Sequence, residues 1–187
     1  MFQRHSEVRF VPLEIKTTRF GQFTVNDEDI IRFPQGIPGF ETHKEWAITG
    51  EDDNPVKWLQ SLADGDVALP VTHPTVLIKE YAPRFADEDL QAVRCGEDKN
   101  LVLLIVLAIP EGNPWDMTAN LRAPLIINHV ERIGVQVIAM NEEYALRHPV
   151  FHHQGNEEEH VDTSPCGTAG DSGDGGTPSA STTTEGK

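Results

Sequence analysis

Apolar and polar side chains alternate near the start of the chain. Leu13, Ile15 and Thr17 are separated by Glu14, Lys16 and Thr18, the period of two expected of a strand with one buried face. Gly21, within the stretch from Arg19 to Gln22, predicts a hairpin turn, and Phe23-Thr24-Val25 resumes the extended pattern. Asn26-Asp27 breaks it, and Ile30-Ile31-Arg32-Phe33 is predicted as a further short strand. Shorter strand candidates follow at residues 46–49, 58–60, 67–71 and 76–78, punctuated by turn residues at the spacing of small sandwiches and barrels.

Residues 101–109 are apolar at every position, so a strand here must be covered on both faces and belongs at the centre of the fold. Pro110 ends it, because proline offers no ladder donor. Two more strands are predicted at 125–127 and 133–139. The one convincing helix is Asp87-Glu88-Asp89-Leu90-Gln91-Ala92-Val93. Acids in its first turn complement the helix dipole, and Gly96 is placed to terminate it. Ten prolines between Pro34 and Pro149 fall at the edges of apolar runs and argue against long helices. The pattern predicts a mainly antiparallel β-barrel or closed sandwich with one short helix.

Composition sets the boundaries of that domain. Residues 155–187 offer only Val161, Cys166, Ala169 and Ala180 as apolar side chains, against seven Gly and ten Ser or Thr. Such a stretch buries too little surface to offset the entropy of ordering it. The expectation is a β domain over residues 8–151 and a disordered acidic tail rich in Gly, Ser and Thr over 152–187.

Charge narrows the partners. The net charge is −15, and residues 152–187 hold seven acids and one base, which leaves −9 on the preceding residues. A polyanion is repelled by such a surface, so direct nucleic-acid binding is disfavoured, as is an anionic membrane. A basic protein partner is favoured, since an acidic field speeds its encounter. Cys95 and Cys166 form no CxxC pair and no disulfide framework. Residues 1–10 lack a signal-type apolar run, and nine apolar residues at 101–109 are about half a membrane span. These features predict a cytoplasmic protein, monomeric when free.

Signatures of catalysis are missing. Gly36-Ile37-Pro38-Gly39 lacks the spacing of a phosphate-binding loop, and no GxSxG, HExxH or kinase set occurs. Asp64 and Asp66 flank Gly65 and read as a solvated turn rather than an acid–base pair. His148, His152, His153 and His160 lie near one another in sequence, but adjacent His152 and His153 point apart on a strand. No cofactor and no metal is expected. Trp46 and Trp58 are expected to fill the core, whereas Ile37 and Phe40, on a Pro/Gly loop, are candidates for exposure.

Five stretches carry a resemblance. Arg19-Phe20-Gly21 followed by Ile31-Arg32-Phe33-Pro34-Gln35-Gly36-Ile37-Pro38-Gly39-Phe40 resembles the opening of the FliW family, where F-P-x-G-[LI]-P-G-F is typical. Trp58-Leu59-Gln60-Ser61-Leu62 with Ala68-Leu69-Pro70-Val71 is similar to its next block. The run from Met117 to Asn128, then Gly134-Val135-Gln136-Val137-Ile138 and Leu146-Arg147-His148-Pro149, continue the similarity in order to about residue 151. The resemblance implies a β-barrel-like flagellar assembly factor with no catalysis of its own and two protein partners, flagellin and the translational regulator CsrA, a small basic RNA-binding dimer. Binding CsrA would relieve its repression of flagellin translation. The rival readings are a dedicated flagellin chaperone without a CsrA role, and a small enzyme with an unrecognised pocket. Asn120 and Asn128 are expected to satisfy turns and buried backbone. The candidate partner-binding residues are Ile37, Phe40 and Tyr81 as apolar anchors, with Asp87, Glu88 and Asp89 as an acidic rim.

Overall fold

The computed structural model describes residues 12–94 and 100–151. β1 (Leu13–Thr17) and β2 (Gly21–Val25) form an antiparallel hairpin, and Gly21 supplies the left-handed residue (φ +68°) that its tight loop requires. A separate sheet runs antiparallel through β3 (Ile30–Arg32), β4 (Glu45–Thr49), β5 (Val56–Ser61), β6 (Ala68–Thr72) and β7 (Leu101–Ala108). The short β8 (Thr118–Ala119) pairs with the end of β7. β9 (Leu125–Asn128) pairs with β7 on one side and with β10 (Ile133–Gln136) on the other. β10 then meets β3 in parallel, so seven strands close on themselves as a barrel. β11 (His148–Pro149) adds to β8 outside it. The expected mainly β architecture with one short helix, α1 (Asp87–Ala92), is the one adopted.

Alternation along β7 explains its apolar run. Val102, Leu104 and Val106 face the barrel interior with Ile31, Trp46, Leu59, Val71, Leu125 and Ile127. The intervening Leu101, Leu103, Ile105 and Leu107 belong to clusters on the outer face. A closed barrel has no edge to satisfy, but its apolar outer faces must still be covered. Three covers do this. The β1–β2 hairpin lays Ile15 and Val25 on Ile30 and Ala47. The stretch holding α1 sets Phe85, Leu90 and Val93 against Ile126, Val135 and Val137. Leu77, Ile78, Tyr81 and Tyr144 close over Ile105, Leu107 and Leu121.

The closing seam is tightly built. The Arg32 amide donates to the Arg132 carbonyl at 2.8 Å, and Arg132 takes a left-handed conformation (φ 54°) to present it. Asn128, almost wholly buried, holds the preceding turn: its Oδ1 accepts from the amides of Val130 and Glu131, both at 3.1 Å. Its Nδ2 donates to the carbonyls of Val93 and Arg94 at 3.0 and 3.3 Å, tying the helix cover to the seam. Asn120 likewise accepts from the Ala123 amide at 2.9 Å. Both asparagines serve the backbone, as expected. Inside the seam, the fully buried Phe33 ring lies on Gly134, where a Cβ atom would come within 2.5 Å of the ring.

The glycine-proline segment after β3 forms two successive turns. The Gly36 amide bonds the Phe33 carbonyl at 2.8 Å and the Phe40 amide bonds the Ile37 carbonyl at 2.7 Å, with Pro34 and Pro38 second in each turn. Gly36 has φ +82° and no room for a side chain, since a Cβ would lie 2.6 Å from the Glu41 Cα. Ile37 is thereby turned into the interior at 2% exposure, contrary to the expectation that this loop would present it to solvent. Phe40 is half-buried, edge-on to Trp46 with ring centres 6.2 Å apart.

Other departures have local causes. Residues 76–78 are not a strand: His73 and Pro74 start a 3-10 turn at Pro74–Val76, with proline at the first helical position and the His73 side chain accepting from the Thr75 amide. The strand expected at 67–71 is β6, and Pro70 is tolerated inside it because β6 meets β7 only through Val71 and Thr72. The left-handed residue after α1 is Arg94 (φ 51°), while Gly96 lies outside the described residues. Trp46 is buried in the barrel, but Trp58 is only half-buried. Gln60, fully buried, donates through Nε2 to the carbonyls of Ser61, Asp64 and Val67 at 3.1, 3.2 and 2.9 Å, and so organises the loop after β5.

The Phe33–Gly134 contact makes a specific prediction. Gly134→Ala is expected to destabilise the fold by ~1–3 kcal/mol, as overpacking of a filled core does. The loss should shrink in a Phe33→Leu background, where the ring is gone. Urea denaturation of the four proteins of that cycle measures it; equal penalties in both backgrounds would show that the ring is not what excludes the side chain.

Candidate protein-binding surface

The expected anchors and acids separate into different environments. Ile37 is in the core and Phe40 packs beneath the surface against Trp46 and His43. Glu41 fixes this loop: its Oε1 accepts from the Gly39 amide at 2.8 Å, and that bond holds its carboxyl below the usual carboxylate range. The segment is therefore a structural device with little apolar surface to offer.

Tyr81 is half-buried in a polar clasp. Its hydroxyl donates to the Leu121 carbonyl at 2.7 Å, and its ring tilts against Tyr144 with centres 4.8 Å apart. The Tyr144 hydroxyl in turn accepts from the Ala82 amide at 2.9 Å. Burial, and then the neighbouring Tyr144, push the Tyr81 phenol well above its ordinary pKa. The same stretch is pinned again where the Arg84 amide donates to Asn141 Oδ1 at 2.6 Å and the Met140 amide to the Arg84 carbonyl at 2.8 Å. Tyr81 is thus a fastening for the cover.

The acids emerge directly from that fastening. Ala86 precedes α1 without a side-chain cap, so Asp87, Glu88 and Asp89 in the first turn stabilise it through the dipole. Asp87 and Glu88 are exposed and Asp89 is half-buried. Leu90 and Val93, on the other side, hold the helix to the barrel.

Three exposed apolar residues that sequence reasoning did not single out follow β10, on a stretch bonded to the one before α1 through the Met140 amide and the Arg84 carbonyl. Beyond β10 the chain stays extended: the amides of Val137 and Ala139 donate to the carbonyls of Pro124 and Arg122 at 3.1 and 2.8 Å. Val137 and Ala139 face inward, so Ile138 and Met140 face out, 70% and 60% exposed. Leu146, 63% exposed, follows Ala145, whose carbonyl accepts from the amides of Leu121 and Arg122. Glu142 and Glu143 lie in the connecting turn, both exposed. The Asn141 side-chain amide, at 2.7 Å, leads the interactions that keep the Glu143 carboxyl below its ordinary pKa. Alternation from 137 to 140 was the available signal, but it reads equally as the end of a buried strand.

Chemistry elsewhere is sparse. Asp64 and Asp66 are exposed in a turn, where Asp64 Oδ1 accepts from the Asp66 amide at 2.9 Å and the Thr18 hydroxyl donates to Asp66. Trp115 is exposed and meets Phe151 with ring centres 5.1 Å apart. Among the described residues no three His, Cys, Asp or Glu side chains gather as a metal-binding group. His152, His153 and His160 lie outside the described residues. Among the described residues no helix is long and apolar enough to cross a membrane.

With this geometry in place, the relatives can be set beside it. The sequence model of the FliW protein family matches residues 14–150. The flagellar assembly factor FliW of Thermotoga maritima is 40% identical over 132 residues, covering 70% of this chain and 89% of that protein. That of Caldanaerobacter subterraneus is 39% identical over 151 residues, 80% of this chain and 100% of the relative. That of Leptospira interrogans is 36% identical over 140 residues, 74% and 93% respectively. A crystal structure of the flagellar assembly factor FliW superposes with a TM-score of 0.70 at 30% identity, over 76% of this chain and 99% of that one.

Tyr81 supplies a pH test of the clasp. Above pH ~10 an unfolded tyrosine loses its proton while the raised group in the fold retains it. The unfolded state then binds fewer protons, so stability falls as pH rises. Tyr81→Phe is expected to cost ~1–2 kcal/mol at neutral pH through the lost bond to Leu121, and to remove part of the alkaline decline. Denaturation of both proteins at pH 7, 10 and 11 measures this; identical slopes would mean Tyr81 titrates as a solvated phenol.

Proposed function

The chain belongs to the FliW family of flagellar assembly factors, and from that premise we propose that it acts by binding flagellin and the translational regulator CsrA. Capturing CsrA would antagonise it and relieve repression of flagellin translation. Flagellin would compete for the same protein until exported, so free assembly factor would report on flagellin demand. The relatives carry the name of an assembly factor and not of a reaction, which fits a role through binding.

The observation that supports this reading best is the exposure of Ile138, Met140 and Leu146 on a stretch that runs into Glu142 and Glu143 and is bonded, from the Met140 amide to the Arg84 carbonyl, to the segment leading into Asp87 and Glu88. Exposed apolar side chains next to acids suit a basic protein whose surface is partly apolar. The −9 charge remaining without residues 152–187 extends that preference over longer range. Partner binding is assigned to the β domain, residues 8–151, in a cytoplasmic protein that is monomeric when free; residues 152–187 are an acidic appendage. Among the candidate residues, Asp87, Glu88 and Asp89 retain the role of acidic rim. Ile138 and Met140 take the anchoring role given in sequence to Ile37, Phe40 and Tyr81.

The mechanism is linkage. A ligand that binds the RNA-free state of CsrA more tightly lowers its RNA affinity by the ratio of the two affinities. Docking away from the RNA surface is enough, because an acidic domain brought alongside also repels RNA phosphates.

Calorimetric titration of the full chain with CsrA, then with CsrA bound to RNA, then after saturation with flagellin, tests the proposal. Binding that weakens with salt, lowers RNA affinity and is blocked by flagellin is expected. Reversing Asp87, Glu88 and Asp89 to Lys should weaken CsrA binding about tenfold or more, an energy of ~1.4 kcal/mol, and flatten the salt dependence. Ile138→Asp with Met140→Asp should do at least as much. Flagellin binding without any CsrA binding would sink the translational role and leave a flagellin chaperone.

A further inference from the structure

Among the described residues β2 has one strand neighbour. Its five residues pair with β1, and among the described residues no other strand or loop bonds its second edge. β1 is protected where β2 is not. The turn at Gly65 presses on it so closely that a Cβ there would lie 2.1 Å from the Lys16 carbonyl oxygen, and the Thr18 amide donates to the Gly65 carbonyl at 3.2 Å. An unpaired strand edge is a template for another strand, and proteins usually blunt it with charge, proline or a covering loop. β2 reads Gly-Gln-Phe-Thr-Val and carries no charge and no proline.

The space beside that edge is shaped. One depression, of about 560 Å³, is lined by Phe20, Phe23, Val56 and Trp58. A second, of about 190 Å³, is lined by Phe23, Val25, Ile48 and Arg132. Phe23 and Thr49 line both, so the two form one groove along β2. Phe20 meets Trp58 edge-on at 6.2 Å, and the Arg19 guanidinium lies 3.8 Å over the Trp58 ring, fixing the aromatic wall.

Charge selects the occupant. Asp27, Glu28 and Asp29 follow β2 at one end, and Glu51, Asp52 and Asp53 follow β4 at the other. Of the nearby cations, Arg32 pairs with Asp27 and Glu45 at 3.2 and 3.4 Å, the Lys57 ammonium donates to the Glu51 carbonyl and Arg19 is held on Trp58, while Arg132 lines the smaller depression. We propose that the free edge of β2 is a docking site for an extended segment of a partner protein, apolar at alternate positions and basic at its ends. Main-chain hydrogen bonds to β2 supply the register, and one apolar side chain enters the pocket of Phe20, Phe23 and Trp58. The site lies on the hairpin cover and does not depend on the CsrA reading, which concerns the cover carrying α1.

Panning a random heptapeptide library against the full chain tests this. Enriched peptides should alternate apolar and polar residues with Lys or Arg at the ends. Their synthetic forms should slow hydrogen exchange of amides within Gly21–Val25, and Trp58→Ala should weaken them tenfold or more. Ile48→Asp, on an exposed residue at the far end of the groove, should weaken them too and guards against a folding defect. Peptides without this pattern, no enrichment, or binding that leaves exchange in β2 unchanged would overturn the proposal. A concentration-dependent dimer in sedimentation that itself protects β2 would overturn it as well, by making the occupant a second copy of the chain.

Discussion

Closure of the barrel rests on one contact, the Phe33 ring against the bare Cα of Gly134. β3 and β10 meet there in parallel through a single register pair, Ile133 with Arg32. So short a ladder supplies little by itself, and apolar packing across it must hold the seam. Phe33 lies against position 134, and any side chain there would take the place of the ring. From this constraint the next steps follow. The chain must turn sharply after Phe33 to reach β4, which the two proline-glycine turns accomplish, and Ile37 is carried into the same interior.

A closed barrel with apolar residues on both faces cannot stop at closure. The outer faces of β3, β4, β7, β9 and β10 carry apolar residues as the inner ones do, and each needs a lid. The hairpin, the helix-bearing stretch and the segment around Tyr81 are those lids. They are fastened by few bonds: Tyr81 to Leu121, Arg84 to Asn141 and Asn128 to Val93. A buried Asn128 that serves both the β9–β10 turn and the end of α1 couples lid to seam, so loss of either side leaves polar atoms unpaired in a dry place.

Much of this was legible in the sequence, for reasons that are local. Period-two alternation located β1 and β2, uninterrupted apolarity placed β7 at the centre, and acids before Leu90 marked α1. The misreadings share one cause, which is tertiary placement overriding local composition. A Pro/Gly loop normally faces water, yet Gly36 and Gly39 bend this one so that Ile37 returns to the barrel. Val76, expected in a strand, is wound into a turn by Pro74 and the His73 cap. Ile138 and Met140 could not be told from core residues, since alternation reveals two faces but not which is covered.

The division between barrel and lids also orders the functional surface. Interior residues are locked by closure, and their replacement would be felt first as lost stability. Apolar side chains that reach the surface have acids close to them: Glu51 and Asp29 line the depressions that hold Phe23 and Trp58, and Glu142 and Glu143 follow the exposed Ile138 and Met140 in the chain. An apolar centre with a charged margin excludes water where contact is made and steers approach where it is not. If both surfaces bind as proposed, they would need no conformational change to serve different ligands. Competition between ligands then requires that they share a lid or overlap in space, and cooperation or independence follows when they do not. Where the proposed surfaces lie, more than the barrel beneath, would therefore decide whether partners exclude one another.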